Sequence, residues 1–101
     1  MLFFTQPDCD ACDALLARLL ARIERINGID IYLADIDPGD DQAVRYWAAR
    51  HGIDPEWVRT RKVTLNFEAG ALAALTGGRG EIPSLMRRRG EDLAVLSPAG
   101  L

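Results

Sequence analysis

The sequence predicts a single small α/β domain: a parallel βαβ unit, then a C-terminal β-hairpin, giving a small mixed sheet with flanking helices. Three observations carry that expectation. The apolar run Leu-Phe-Phe-Thr at 2–5 gives way to helical periodicity, and a second apolar run follows at 29–36. Strands alternating with helices read as parallel neighbours joined by a right-handed crossover. Two short strand-like segments near the end flank Arg89-Gly90-Glu91, a Gly-containing hairpin turn. The length of 101 residues suits one domain and is short for two.

Each element has its own signal. Gln6-Pro7-Asp8 breaks the first strand. Cys12, Leu15, Leu16, Leu19, Leu20, Ile23 and Ile26 then recur at spacings of three and four, one apolar stripe with Arg18, Arg22 and Arg25 on the other side. Asp8 is the expected N-cap of this helix, and Asn27-Gly28 its stop. Residues 29–36 read as the second strand, ended by Pro38-Gly39-Asp40, which also offers a cap. Residues 41–51 carry Ala43, Val44, Trp47 and Ala48 at helical spacing, with Gly52 closing the helix. Residues 62–66 suggest a short strand. Residues 67–76 suggest a short helix, which Gly70 weakens by about 1 kcal/mol relative to Ala. Gly77-Gly78-Arg79-Gly80 reads as a turn, residues 85–88 and 92–97 as the hairpin strands, and Pro98-Ala99-Gly100 as an end with no helix after it.

Charge and composition exclude several classes. Half the residues are hydrophobic and about a quarter charged, which argues against disorder. A net charge of −3 argues against a general nucleic-acid partner. No apolar run approaches the roughly 18 residues of a membrane span. The first residues lack the basic region and long apolar stretch of a secretory signal. The expected location is cytoplasmic if the chain is complete, and periplasmic if it is a domain cut from a secreted protein.

The chemistry points to the cysteines. The chain has two, Cys9 and Cys12, and one histidine, His51. Two thiols and one imidazole do not complete the four ligands of a structural zinc site. The spacing leaves a redox pair or an inert local disulfide. A cysteine at a helix N-terminus meets unpaired backbone N–H groups and the positive end of the helix dipole, which favour the thiolate. The thiolate is the nucleophile. Cys12, one turn later and inward, would resolve a mixed disulfide formed by Cys9.

Thr5-Gln6-Pro7-Asp8-Cys9-Asp10-Ala11-Cys12, the long helix, and an apolar strand ending in Asp35-Ile36-Asp37 together resemble the thioredoxin–glutaredoxin superfamily. Ile82-Pro83-Ser84 before the hairpin is the second point of resemblance. In that superfamily a cis proline there packs against the active-site disulfide and helps bind the partner chain, so Ile82 and Pro83 are the implied partner-binding residues. The likeness covers most of the chain, with residues 54–80 as an apparent insertion. Residues 62–66, the glycine-rich turn and Ile82-Pro83 are also similar to thioredoxin-like accessory proteins encoded by bacterial integrating conjugative elements, which are expected to act in the cell envelope.

The resemblance implies a thiol–disulfide oxidoreductase or exchange factor acting on protein disulfides. It would need an external redox partner and no metal or organic cofactor. No glutathione carboxylate site is evident. The alternative is a non-catalytic thioredoxin-like binding or assembly module of an envelope or conjugation complex.

Departures from the pattern are specific. Asp-Ala stands between the cysteines where thioredoxins have Gly-Pro, and Asp8 replaces the usual aromatic residue. Asp8, Asp10 and Asp13 therefore surround Cys9. At an effective dielectric near 20, one such charge ~6 Å away is worth roughly 3 kcal/mol before screening. The helix dipole contributes about 0.3–1 kcal/mol in the opposite sense. The expected Cys9 is thus closer to an ordinary thiol than in strongly oxidising members. Phe3 stands where the family often has a buried acid, leaving Asp13 or Asp35 as substitutes. By the same comparison, the final helix of that fold is expected to be missing.

Other features have plainer readings. Arg87-Arg88-Arg89 reads as a solvated edge strand that blocks sheet-to-sheet pairing, or as an anion or partner contact. His51 reads as a helix-end residue, Trp47 and Trp57 as packing. Asp35, Asp37, Asp40 and Asp41 read as turn and cap residues rather than cation ligands.

Overall fold

The computed structural model describes residues 1–96. Five strands and four helices follow in the order β1 (Leu2–Thr5), α1 (Asp10–Leu20), β2 (Ile29–Leu33), α2 (Asp41–Arg50), α3 (Pro55–Arg59), β3 (Val63–Phe67), α4 (Ala71–Thr76), β4 (Ser84–Arg89) and β5 (Asp92–Val95) among the described residues. The strands form one mixed sheet in the order β3-β2-β1-β4-β5. β1 runs parallel to β2, and β2 parallel to β3. β4 is antiparallel to both β1 and β5.

Alternation along the strands divides the core in two. Phe3, Ile29, Ile31, Leu33, Val63 and Leu85 face one way, against Leu15, Leu16 and Leu19 of α1 and Val44, Trp47 and Ala48 of α2. Leu2, Phe4 and Met86 face the other way, against Leu72 of α4. Every residue of β1 is buried, because helices cover this central strand on both faces. Phe4 stacks on Tyr32 of β2 at 4.9 Å between ring centroids.

The expected elements are present with shifted ends. The helix foreseen as running to Ile26 stops at Leu20 and resumes as a 3₁₀ turn at Ile23–Arg25. Asp8 is not its cap. Asp8 adopts φ 57°, a left-handed turn conformation, and Cys9 takes the cap position instead. β2 ends at Leu33 rather than Ile36, since Ala34 donates to Thr5 and Asp35 turns at φ 56°. Phe67 belongs to β3, paired with Leu33, and not to the helix expected over 67–76. That helix begins only after Gly70, whose φ of 85° is incompatible with a helix interior.

Two expectations for α2 match the structure closely. The Asp40 side chain caps α2 through the Ala43 N–H at 3.1 Å. His51 is the residue at its C-terminal end.

The segment 54–80 extends the sheet rather than looping away from it. β3 forms the outer strand beside β2, and α4 packs over the face presented by Leu2, Phe4 and Met86. α3 was not foreseen. It carries its own signals, an Asp54 cap bonded to the Glu56 N–H and a proline in its first turn. The expectations for Ser97 and for Pro98-Ala99-Gly100 lie outside the described residues.

Candidate functional site

The site begins where β1 ends. The chain leaves the sheet at buried Thr5, turns through Pro7 and the left-handed Asp8, and enters α1 at Cys9. Cys9 and Cys12 form a disulfide, with S–S 2.12 Å and Cα atoms 5.2 Å apart. Cys9 is extended at the cap position, and its sulfur accepts the Cys12 backbone N–H at 3.1 Å. The Cys9 carbonyl accepts the Asp13 N–H at 2.9 Å, closing the first helical turn.

The two sulfurs have different surroundings. Cys12 faces the core and is 0% exposed, whereas Cys9 is half-buried. An incoming group can therefore reach Cys9 and not Cys12. Helix geometry makes this asymmetry: the cap residue sits at the rim, and the residue three later rotates onto the buried face.

Neighbouring charge comes from both helices. Asp13, on the first turn of α1, has its Oδ1 3.8 Å from Nε2 of His51 at the end of α2. That distance is beyond a hydrogen bond but within ion-pair reach when the imidazole is protonated. Trp47 lies against the His51 ring at 4.8 Å between centroids. A cavity of about 410 Å³ opens here, lined by Pro7, Asp8, Asp10 and Asp13 on one side and Tyr46, Arg50 and His51 on the other. Asp35 is exposed in the turn after β2, so Asp13 is the better-placed carboxylate beside the cysteine pair.

The proline approaches from the sheet. The Ile82–Pro83 peptide bond is cis. β4 pairs Ser84 with Phe4, so the next step of the same register brings Pro83 opposite Thr5, at the start of the cysteine loop. Pro83 also lines a cavity of about 530 Å³ with Leu75, Met86, Leu93 and Val95. Ile82 packs with the Leu2, Phe4, Leu72 and Met86 group. Phe3 is fully buried among core residues and supplies no acid.

Three features escaped the sequence reading. The Thr5 side chain is fully buried, and its hydroxyl has no hydrogen-bond partner among the described residues. The Asp13–His51 pair and the Tyr46–Arg50 wall of the groove arise from packing α2 against the start of α1. Residues some forty positions apart carry no local signal of that meeting.

No protein-family model, curated protein or solved structure gives a match to this chain.

Proposed function

We propose that the chain is a thioredoxin-like thiol–disulfide exchange domain acting on protein disulfides, with Cys9 as the attacking thiol and Cys12 as the resolving one. The observation that carries this reading is the unequal access to the two sulfurs at a helix N-terminus. An inert staple has no need of such asymmetry, but exchange does. Supporting it are the βαβ unit, the hairpin, and a cis proline entering that hairpin beside the cysteine loop, the arrangement the resemblance implies.

In the reduced form the Cys9 thiolate attacks one sulfur of a substrate disulfide. A Cys9–substrate bond forms, and the other substrate sulfur leaves as thiolate and takes up a proton. Cys12, deprotonated, then attacks the Cys9 sulfur, and the second substrate thiol departs. Two electrons pass to the substrate, and the domain is left with the Cys9–Cys12 disulfide. An external dithiol returns it to the reduced state. Asp13 is the carboxylate best placed to take the proton during resolution. Ile82 and Pro83 orient the substrate backbone, and the apolar cavity beside Pro83 accommodates side chains next to the substrate cystine.

Single-cysteine variants test the assignment. Cys12→Ser should accumulate a stable mixed disulfide with an aromatic disulfide reagent. Cys9→Ser should react at least tenfold more slowly, because Cys12 is buried. Equal inertness of both variants would contradict exchange and favour the non-catalytic binding module.

A further inference from the structure

The end of the molecule away from the cysteines gathers positive charge. Arg22 and Arg25, just past α1, and Arg87, Arg88 and Arg89 of β4 line one cavity of about 500 Å³, together with Ile26, Asn27 and Gly28. Five of the chain's twelve Lys and Arg residues thus line one space, and none of its fifteen Asp and Glu residues lines it. None of the five forms an ion pair with a carboxylate among the described residues. Such a concentration of like charge in an acidic chain raises the energy of the empty protein through mutual repulsion. A bound multivalent anion relieves it.

The arrangement follows from the fold. Leu85 faces α1, so alternation turns Arg87 and Arg89 to that same face, where Arg22 and Arg25 emerge from the end of α1. Two elements distant in sequence therefore aim guanidinium groups at one region. Guanidinium forks match phosphate and carboxylate oxygens in bidentate geometry.

We propose that this cavity is a binding site for a compact oligophosphate. Charge density decides for that class. Four guanidinium groups on one face, with Arg88 also lining the cavity, require several negative charges close together, which a short phosphate chain supplies. An acidic peptide spreads its charges over roughly 3.3 Å of backbone per residue. The cavity has no aromatic side chain on which a nucleobase could stack. α1 alone, with 11 residues, separates this site from Cys9 by about 16 Å. The site therefore stands independently of the exchange chemistry.

Titration calorimetry of tripolyphosphate into the full chain at low salt tests the proposal. The expected result is saturable binding of one equivalent that weakens as salt is raised. Arg22→Gln and Arg87→Gln should each weaken it about tenfold or more. Arg45→Gln, which removes the same charge from α2, should leave it nearly unchanged. Circular dichroism of the variants checks that they are folded, and Cys9 alkylation rates should match the parent. Absence of saturable binding would overturn the proposal. So would equal weakening by Arg45→Gln, or tighter binding of a glutamate hexapeptide than of tripolyphosphate.

Discussion

Thr5 and Cys9 show how much hangs on single side chains at the end of β1. Cys9 satisfies a helix N-terminal N–H with its own sulfur and remains accessible, so one residue both caps α1 and presents the candidate attacking sulfur. Thr5 buries a hydroxyl without a partner among the described residues, which costs on the order of 1–3 kcal/mol relative to a satisfied group. Thr5→Val keeps the shape and removes the orphan. Its expected effect is a stabilisation of about 1 kcal/mol, read as a higher urea midpoint at unchanged m-value. A destabilised variant would mean that the hydroxyl has a partner in solution. The cysteine spacing was legible because one helical turn is a local rule. The cap was misassigned because Asp8, a better cap by residue type, is turned away by its left-handed backbone. Residue preference does not report that angle.

At the scale of elements, local signals were legible and long-range ones were not. Asp40 caps α2 as its sequence suggests, because an Asx cap needs only the next turn of the helix. Phe67 looked helical, yet it extends β3 because its backbone pairs with Leu33, a partner chosen by the sheet. α3 buries no residue fully, so it left no apolar stripe to read, although Asp54-Pro55-Glu56 was a start signal.

Two predictions belong at this scale. Gly80 packs so closely on α4 that a Cβ there would lie 2.5 Å from Cγ of buried Leu72. Gly80→Ala should therefore cost about 1–3 kcal/mol by denaturant unfolding, through displaced Leu72. The second concerns α3, where the hydrogen bond from Arg59 holds the Glu56 carboxyl below its ordinary range. The contribution is fully present above the unfolded carboxyl value of 4.5 and is lost as pH falls through the lower folded value. Both groups are exposed, so the expected loss is local. Protection factors of the α3 amides, taken against the intrinsic exchange rate at each pH, should fall on acidification, and Glu56→Gln should remove that pH dependence while leaving global stability nearly unchanged.

At the scale of the whole molecule, two candidate sites lie at opposite ends of α1. The disulfide and the cis proline lie toward one end of the sheet, and five arginines surround a cavity at the other. The βαβ order and the hairpin could be read from periodicity, the cysteines from their spacing at a helix start, and the proline only from the resemblance. The outer position of β3, the covering of the second sheet face by α4 and the meeting of Asp13 with His51 could not. Each depends on which segments pair or pack, and only the assembled fold decides that. The central claim is that Cys9 and Cys12 form an exchangeable redox couple. Its most direct test is the reduction potential of the pair, measured by equilibration against glutathione and dithiothreitol buffers with alkylation of the reduced form. The account predicts a reversible two-electron couple between roughly −120 and −270 mV, the span of exchange catalysts. A potential below about −300 mV, the range of structural disulfides, would contradict it.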